Sequence, residues 1–177
     1  GLTAVTDYFS ISNNATLSTL AVASLSTAGS VEISYNGLTS LDLSGLTALT
    51  GNGLPGNSAF NVSYNTALLA LSVASLTSAN SVNIENNGLT SLDFSGLTTV
   101  TGSFTIQNNA SLTTLTAASL TTAYSVGINN NGLASVDLSG LTTVTNALVI
   151  SDNLALTDIV WSGSVAWNYV QVIYCAL

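Results

Sequence analysis

The feature that most constrains the fold of this chain is a 22-residue repeat. One apolar position marks it, at Ile11, Ile33, Val62, Ile84, Ile106, Ile128 and Ile150. Successive members of this series are 22 residues apart, with one exception. Ile33 and Val62 are 29 residues apart, which is one repeat plus an insertion of seven residues. Residues 86–102 and 130–146 are also nearly identical, so a 44-residue period overlies the shorter one. Because such periods are typical of stacked repeats, we predict about seven coils of 22 residues.

The spacing of inward residues within one coil predicts short strands separated by corners. In one coil these positions are Val82, Ile84, Asn87, Leu89, Leu92, Phe94, Leu97 and Val100. Steps of two place alternate side chains of a strand on one face, whereas steps of three mark corners, and the mixture fits neither a helix nor a long strand. The chain should therefore be all-β and wind as a β-solenoid around a narrow apolar core, with coils about 4.8 Å apart.

The repeat divides the chain into a solenoid and a C-terminal segment. Residues 1–159 are predicted to form the solenoid, interrupted by a surface loop at Asn52–Ala59 that is either a tolerated insertion or a contact with a neighbour or ligand. The single proline, Pro55, lies in this loop, as expected if interior strands must donate their amides to adjacent coils. Residues 160–177 are predicted to form a strand and an aromatic segment, which is either a cap on the last coil or an assembly contact.

Asparagine recurs at one corner of every coil. The positions are Asn14, Asn36, Asn65, Asn87, Asn109, Asn131 and Asn153. A buried carboxamide can bond main-chain groups that a turn leaves unpaired, and it can also bond the carboxamide of the next coil. We therefore predict a structural asparagine ladder at these positions, in preference to a ligand site.

Several phrases in the sequence resemble a known family. "LTSLDLSGLTALTG", "LTTVTGSFTIQNNASLTTL" and "LTTVTNALVISDNLALTDI" are similar to the receptor L-domain-like branch of the leucine-rich-repeat families, which includes bacterial surface repeats. The resemblance covers most of Phe9 to Ile159. It implies a right-handed solenoid and a secreted or surface-attached protein. It implies no particular ligand, because these families bind through loops and faces that vary.

The charge composition excludes several classes of partner. The chain has no lysine, arginine or histidine and a formal net charge of −8. Without side-chain cations to neutralise phosphates, neither nucleic acid nor an anionic membrane is expected as a partner. Its apolar stretches are shorter than the roughly 18 residues of a membrane span, so no span is expected. The absence of trypsin sites and the shortage of charges that packing would desolvate suit a durable extracellular or cell-surface protein.

No catalytic, metal or cofactor site is predicted. The chain lacks the usual general base near neutral pH and the cations that stabilise developing negative charge. Asp42, Asp93 and Asp137 occupy equivalent positions, but Ser72 and Thr116 occupy the coils between them. Successive carboxylates should then lie about 10 Å apart, whereas Ca²⁺ needs roughly six to eight converging oxygens. We therefore expect solvated aspartates and no enzyme activity.

The leading functional hypothesis is a structural subunit that associates head to tail into an extracellular filament or surface layer. Soluble solenoids usually end in polar caps, whereas the first and last coils of this chain carry little charge. Aromatic residues with depleted charge are typical of interface cores. The predicted assembly residues are Tyr8, Phe9, Trp161, Trp167, Tyr169, Tyr174 and Cys175.

Other functions remain open at this point. The alternative is a cell-surface binding module that recognises glycan or protein through one solenoid face. Ice binding is less favoured, because the paired threonines Thr99 and Thr101 recur at Thr143 and Thr145 but are interrupted in the coils between. Sugar attached to the many hydroxyls is compatible with either function. Cys175 is either a small buried apolar residue or half of an intersubunit disulfide.

Overall fold

A computed structural model describes residues 1–51, 59–161 and 166–176, with the side chains of residues 166 and 167 excepted. Within these ranges the chain forms strands and turns, and no described helix is long and apolar enough to cross a membrane. The strands are β1 (Ala4–Ser12), β2 (Thr27–Ser34), β3 (Ser40–Asp42), β4 (Ala48–Leu49), β5 (Ala59–Ser63), β6 (Ala70–Ser72), β7 (Ser78–Ala79), β8 (Ser81–Glu85), β9 (Ser91–Asp93), β10 (Thr99–Gln107), β11 (Thr114–Thr116), β12 (Thr122–Asn129), β13 (Ser135–Leu138), β14 (Thr143–Ser151), β15 (Asp158–Trp161), β16 (Ala166–Trp167) and β17 (Val170–Ile173).

The strands form two parallel sheets, to which successive coils contribute in turn. The larger sheet has the order β1-β2-β5-β8-β10-β12-β14-β16, with β17 also paired to β14, β4 to β2 and β7 to β10. The smaller sheet has the order β15-β13-β11-β9-β6-β3. Every pairing between named strands is parallel, because the chain passes around the core in the same direction in each coil. The predicted β-solenoid of about seven coils is confirmed.

The pairing register follows the 22-residue repeat. In the larger sheet Ile11 pairs with Ile33 and Ile33 with Val62, so the seven-residue insertion does not shift the register. The predicted loop at Asn52–Ala59 lies outside the described residues except for Ala59, which begins β5. At the other end, β17 pairs Val172 with Ile150 and adds a further strand level. The predicted boundary between residues 159 and 160 falls inside β15, because sheet pairing continues through it.

The core is a narrow apolar column between the two sheets. Inward residues of both sheets are almost all buried, and three phenylalanines fill its middle. The ring of Phe94 packs edge to face against Phe60 at a centroid distance of 6.2 Å and against Phe104 at 5.7 Å. Ala117 takes the position equivalent to Phe94 in the next coil, so a small residue compensates for the large one.

Neighbouring coils differ at two corners, which accounts for the 44-residue period. One kind of coil has an additional residue between the corner asparagine and the next buried leucine, as Asn65–Leu68 shows beside Asn87–Leu89. The second kind has its additional residue later, within Val100–Ser103, where the register between β10 and β12 shifts. Each coil therefore keeps a length of 22 residues while its corners alternate.

Glycine in the second kind of coil is required by close main-chain contact. A Cβ atom on Gly88 would lie 2.6 Å from the carbonyl oxygen of Thr66, one of the two residues between Asn65 and Leu68 in the coil before it. At the next corner, a Cβ atom on Gly96 would lie 2.2 Å from the Ala74 carbonyl oxygen. No side chain fits at such distances, so the glycine of one coil and the main chain of its neighbour are matched in pairs.

Replacing Gly96 with alanine should therefore destabilise the fold. The new Cβ atom would force two coils apart, and we expect the free energy of unfolding to fall by about 1–3 kcal/mol in urea titrations. The control is Gly127→Ala, because the nearest atom to a Cβ atom there is the side-chain nitrogen of Asn129 at 3.3 Å, which can move. Equal stability of the two variants would contradict the close-contact explanation.

Candidate functional site

The corner asparagines form one continuous column along the solenoid. The main-chain N–H of each donates to the Oδ1 of the asparagine in the following coil, at 3.0–3.2 Å over the six steps from Asn14 to Asn153. From Asn36 onward these side chains are at most 6% exposed. The seven predicted positions are therefore one continuous ladder in the structure.

The other half of each carboxamide bonds the main chain. From Asn36 onward, every Nδ2 donates to the carbonyl of the marker residue in the preceding coil, for example from Asn36 to Ile11 and from Asn153 to Ile128, at 2.8–3.1 Å. Most also donate to the carbonyl two residues before them, as Asn109 does to Gln107 at 2.9 Å. Each of these carboxamides thus joins its coil to the preceding one and accepts the main-chain N–H that the preceding corner would leave unpaired.

A left-handed residue precedes every rung of the ladder. This column has φ angles of 53–61° and comprises Asn13, Tyr35, Tyr64, Asn86, Asn108, Asn130, Asp152 and Tyr174. Asparagine and aspartate tolerate this conformation, whereas tyrosine in it is uncommon. Tyr35 and Tyr64 are therefore held in a backbone conformation that tyrosine rarely adopts.

Those two tyrosines form a feature that the sequence did not reveal. The rings of Tyr35 and Tyr64 stack in parallel with centroids 4.6 Å apart, and they are 52% and 40% exposed. They border an open groove of about 550 Å³ whose lining includes Asn13 and Thr66. The pKa of the Tyr64 hydroxyl is raised, mainly by the negative charge of the Glu85 carboxylate and to a smaller extent by Tyr35. The available signal was the replacement of asparagine by tyrosine in one repeat column of two successive coils.

The equivalent aspartates lie on the outer face of the smaller sheet. Asp42 pairs with Ser72, and Ser72 pairs in turn with Asp93. Each aspartate accepts the main-chain N–H of the serine two residues on, at 2.9 Å for Asp42 and 2.8 Å for both Asp93 and Asp137. They therefore stabilise the following corner as side-chain turns. No group of three or more acidic or cysteine side chains comes together in the described part of the chain.

The first coil exposes part of its core to one end of the solenoid. The larger sheet ends at β1, which pairs with β2 along one edge and with no described strand along the other. Val5, Ile11, Leu17 and Leu20 are only partly buried, although their counterparts in inner coils are covered on both sides. We call this surface, with Tyr8, the first-coil face. Among the predicted assembly residues, Tyr8 is exposed here, whereas Phe9 is largely buried as the first member of its core column.

The last strand level exposes apolar residues at the opposite end. Among the described strands β17 pairs with β14 alone, and its inward residue Val170 is 42% exposed. Tyr169, Tyr174 and the partly buried Cys175 also lie here, and these residues form what we call the last-coil face. The predicted assembly residues thus separate into two groups at opposite ends. Trp161 is exposed in β15, and the Trp167 side chain lies outside the described atoms.

Cys175 occupies the position that asparagine has in every other coil. It follows the left-handed Tyr174 as Asn153 follows Asp152. Its thiol donates weakly to the Ile173 carbonyl at 3.5 Å, in the same way that Asn153 donates to the carbonyl two residues before it. The ladder therefore runs from Asn14 to Asn153 and meets a thiol in the eighth position.

Removing one rung should cost much of the stability. In Asn109→Ala, the N–H of Asn87 loses its acceptor, and the carbonyls of Ile84 and Gln107 each lose one donor. Since a buried unpaired group costs about 1–3 kcal/mol, we expect the free energy of unfolding to fall by about that amount. The control is Asn108→Gly, which keeps the left-handed backbone. A loss below about 1 kcal/mol in Asn109→Ala would contradict the structural role of the ladder.

The turn-forming aspartates should make stability depend on pH in acid. Hydrogen bonds from the Ser44 hydroxyl and then its N–H lower the pKa of Asp42, and those from Ser139 lower the pKa of Asp137 in the same way. A carboxyl group whose pKa is lower in the folded protein stabilises the fold fully at pH values above its ordinary pKa near 3.8. This contribution disappears as the pH falls through the folded pKa.

The double variant Asp42→Asn/Asp137→Asn should therefore be less stable than the wild type near pH 6 but equally stable near pH 2. The turns should persist, because the amide oxygen still accepts the serine N–H. Urea titrations across this range measure the difference, with Asp158→Asn on the same sheet as the control. A difference that stays constant down to about pH 2 would contradict the assignment.

Comparisons with protein-family models, curated proteins and solved structures found no match to this chain. The resemblance to the receptor L-domain-like families stays a prediction.

Proposed function

We propose that this chain is a structural extracellular protein whose copies associate end to end into a filament or a surface layer. The observation that carries this proposal is the pair of sheet edges at opposite ends of one parallel solenoid. Because all strands of the larger sheet are parallel, the outer edge of β1 in one copy matches the outer edge of β17 in another without reversal of direction. An unpaired edge with partly exposed core residues favours pairing with another chain.

The composition of both faces supports association. In the described part of the last-coil face, residues 166–176, no side chain is charged, and the first coil up to Ile11 has Asp7 alone. Few charges therefore need to be desolvated when the two faces meet, whereas Val170 and the half-covered leucines of the first coil lose exposed apolar surface. The absence of lysine and arginine also fits life outside the cell among trypsin-like proteases.

The arrangement of unlike faces determines the kind of assembly. A contact between the first-coil face of one copy and the last-coil face of the next is heterologous and does not close on itself unless the copies curve into a ring. The narrow solenoid would then extend along its own axis. Contacts between the flat sides of neighbouring stacks would be needed to turn filaments into a layer.

A second function is favoured by the stacked pair Tyr35 and Tyr64. Two tyrosines held in an uncommon backbone conformation beside an open groove form an aromatic surface with nearby hydroxyl and amide groups. Such a surface suits a neutral glycan, since the chain has no cation for an anionic ligand. The alternative function is therefore a surface binding module that acts as a monomer.

Assembly should be visible directly. The 177-residue chain, concentrated toward millimolar, should form rods in negative-stain micrographs and sediment as material far larger than 17.9 kDa. Deleting residues 168–177 should abolish rods, because this deletion removes β17 and with it one of the two matching edges.

A point variant separates assembly from folding. Val170→Asp adds one charge to the last-coil face and should raise the concentration needed for assembly more than tenfold, whereas Tyr124→Asp adds the same charge to the exposed flank of an inner coil and should have little effect. A wild-type chain that stays monomeric at high concentration, or a deletion variant that assembles as fast as the wild type, would contradict the proposal and favour the monomeric binding module.

A further inference from the structure

Large aromatic residues occupy one outward column of the larger sheet only at its two ends. The column begins with Tyr8 and ends with Tyr169, and the residues between them are Ser30, Ala59, Ser81, Ser103, Ser125 and Ala147. Both rings are about half exposed, at 54% for Tyr8 and 50% for Tyr169. The repeat therefore excludes bulky side chains from this column except where a strand has a neighbour on one side only.

Inward columns are matched at the two ends as well. Phe9 pairs with Val31 in the first coil, and Val170 pairs with Leu148 in the last strand level. These residues belong to a single column of the core. Ile11 and Val172 are likewise the first and last members of the marker column. A strand placed beyond β17 in the same register would therefore bring an apolar residue against each of these positions.

The asparagine ladder has complementary ends. Among the described residues, no group donates to the Oδ1 of Asn14, although every later carboxamide oxygen accepts the N–H of the rung before it. Cys175 occupies the last position and has a main-chain N–H of the kind that the rungs from Asn14 to Asn131 donate onward. The first-coil face thus has an acceptor where the last-coil face has a donor.

We propose that copies of this chain join in the register of the internal repeat, with β17 of one copy paired in parallel with β1 of the next. This inference rests on the proposed end-to-end assembly and specifies its contacts. Tyr169 lies beside Tyr8, Val170 beside Phe9, Val172 beside Ile11 and Cys175 beside Asn14. The Cys175 N–H donates to the Asn14 Oδ1, and the Asn14 Nδ2 donates to the Val172 carbonyl, as Asn36 does to Ile11 within the chain.

The stacked tyrosines inside the solenoid show what the junction should produce. Tyr35 and Tyr64 occupy one column in successive coils, and their rings stack at 4.6 Å with an interplanar angle of 3°. Tyr169 and Tyr8 would occupy adjacent levels in the same way. The junction also fixes the axial repeat, because each copy contributes eight strand levels to the larger sheet. At about 4.8 Å per level, one subunit should advance the filament by roughly 38 Å.

Cysteine pairs test the register directly. Ser10 and Gln171 face outward next to the tyrosine column, and the proposed register places them on adjacent levels about 4.8 Å apart, within disulfide range. In a Cys175→Ser background, Ser10→Cys/Gln171→Cys should form covalent ladders of many subunits on mild oxidation, seen on non-reducing gels.

The matched control is Ser12→Cys/Gln171→Cys in the same background. These residues would be two positions out of register, with Cα atoms about 8 Å apart, which is too far for a disulfide. Filaments that cross-link through the control pair, or through neither pair, would overturn the proposed register while leaving end-to-end assembly standing. Failure of every variant and of the wild type to form filaments would overturn both.

The aromatic contact has its own test with an intact fold. Tyr8→Ser and Tyr169→Ser each place in the column the residue that inner coils already have, so the solenoid should remain folded. We expect each to raise the critical concentration for assembly about tenfold, and the double variant to do little more than either single variant, because both remove one contact. Tyr124→Ser on an inner coil is the control. If the increase in critical concentration in the double variant equals the product of the two single-variant increases, the two rings are not in contact.

Discussion

The fold depends on the hydrogen bonds of a buried carboxamide at one corner of each coil. A narrow solenoid must turn its main chain sharply next to an apolar core, and the turn leaves the N–H of the corner residue with no partner in either sheet. Asparagine supplies a carbonyl oxygen and two N–H groups within one short side chain. Asn65, for example, accepts from Asn36 and donates to both Ile33 and Ser63, so a single residue holds the corner and its neighbour. Stacking is a condition for this arrangement, since each rung needs the coil on either side of it.

Such a scaffold does not use ion pairs between side chains. With no side-chain cation in the sequence, no side-chain salt bridge can form, and polar stabilisation comes from carboxamides, hydroxyls, the turn-forming aspartates and the main chain. A column of threonines shows the same principle: the hydroxyls of Thr47, Thr77, Thr98, Thr121 and Thr142 each donate to a main-chain carbonyl in the coil before, at 2.9–3.1 Å. Many of the hydroxyl residues that look like a ligand surface in the sequence are therefore engaged within the fold.

The 22-residue period of the sequence predicts the solenoid and its coils, but features that depend on contacts between coils could not be predicted. The spacing of Ile11 through Ile150 specifies the solenoid and its number of coils, and the alternation of Asp42 with Ser72 is found in the pairing of the smaller sheet. The reason for the 44-residue period could not be predicted from the sequence. Gly88 and Gly96 are required because carbonyl oxygens of a neighbouring coil lie where a Cβ atom would be. The stack of Tyr35 on Tyr64 was missed for a related reason. The direction of the two rings depends on the left-handed backbone of both residues, and a tyrosine in the sequence does not indicate that backbone conformation.

The ladder also has a direction, because every main-chain N–H in it points toward the coil that follows and every carboxamide oxygen accepts from the coil before. A polymer that continues such a ladder is polar, with an acceptor at one tip and a donor at the other. Growth at the two tips would then proceed at different rates, since each tip must order different side chains before a new subunit can dock. A copy altered on one face alone could still add at one tip, and it would block all further addition there.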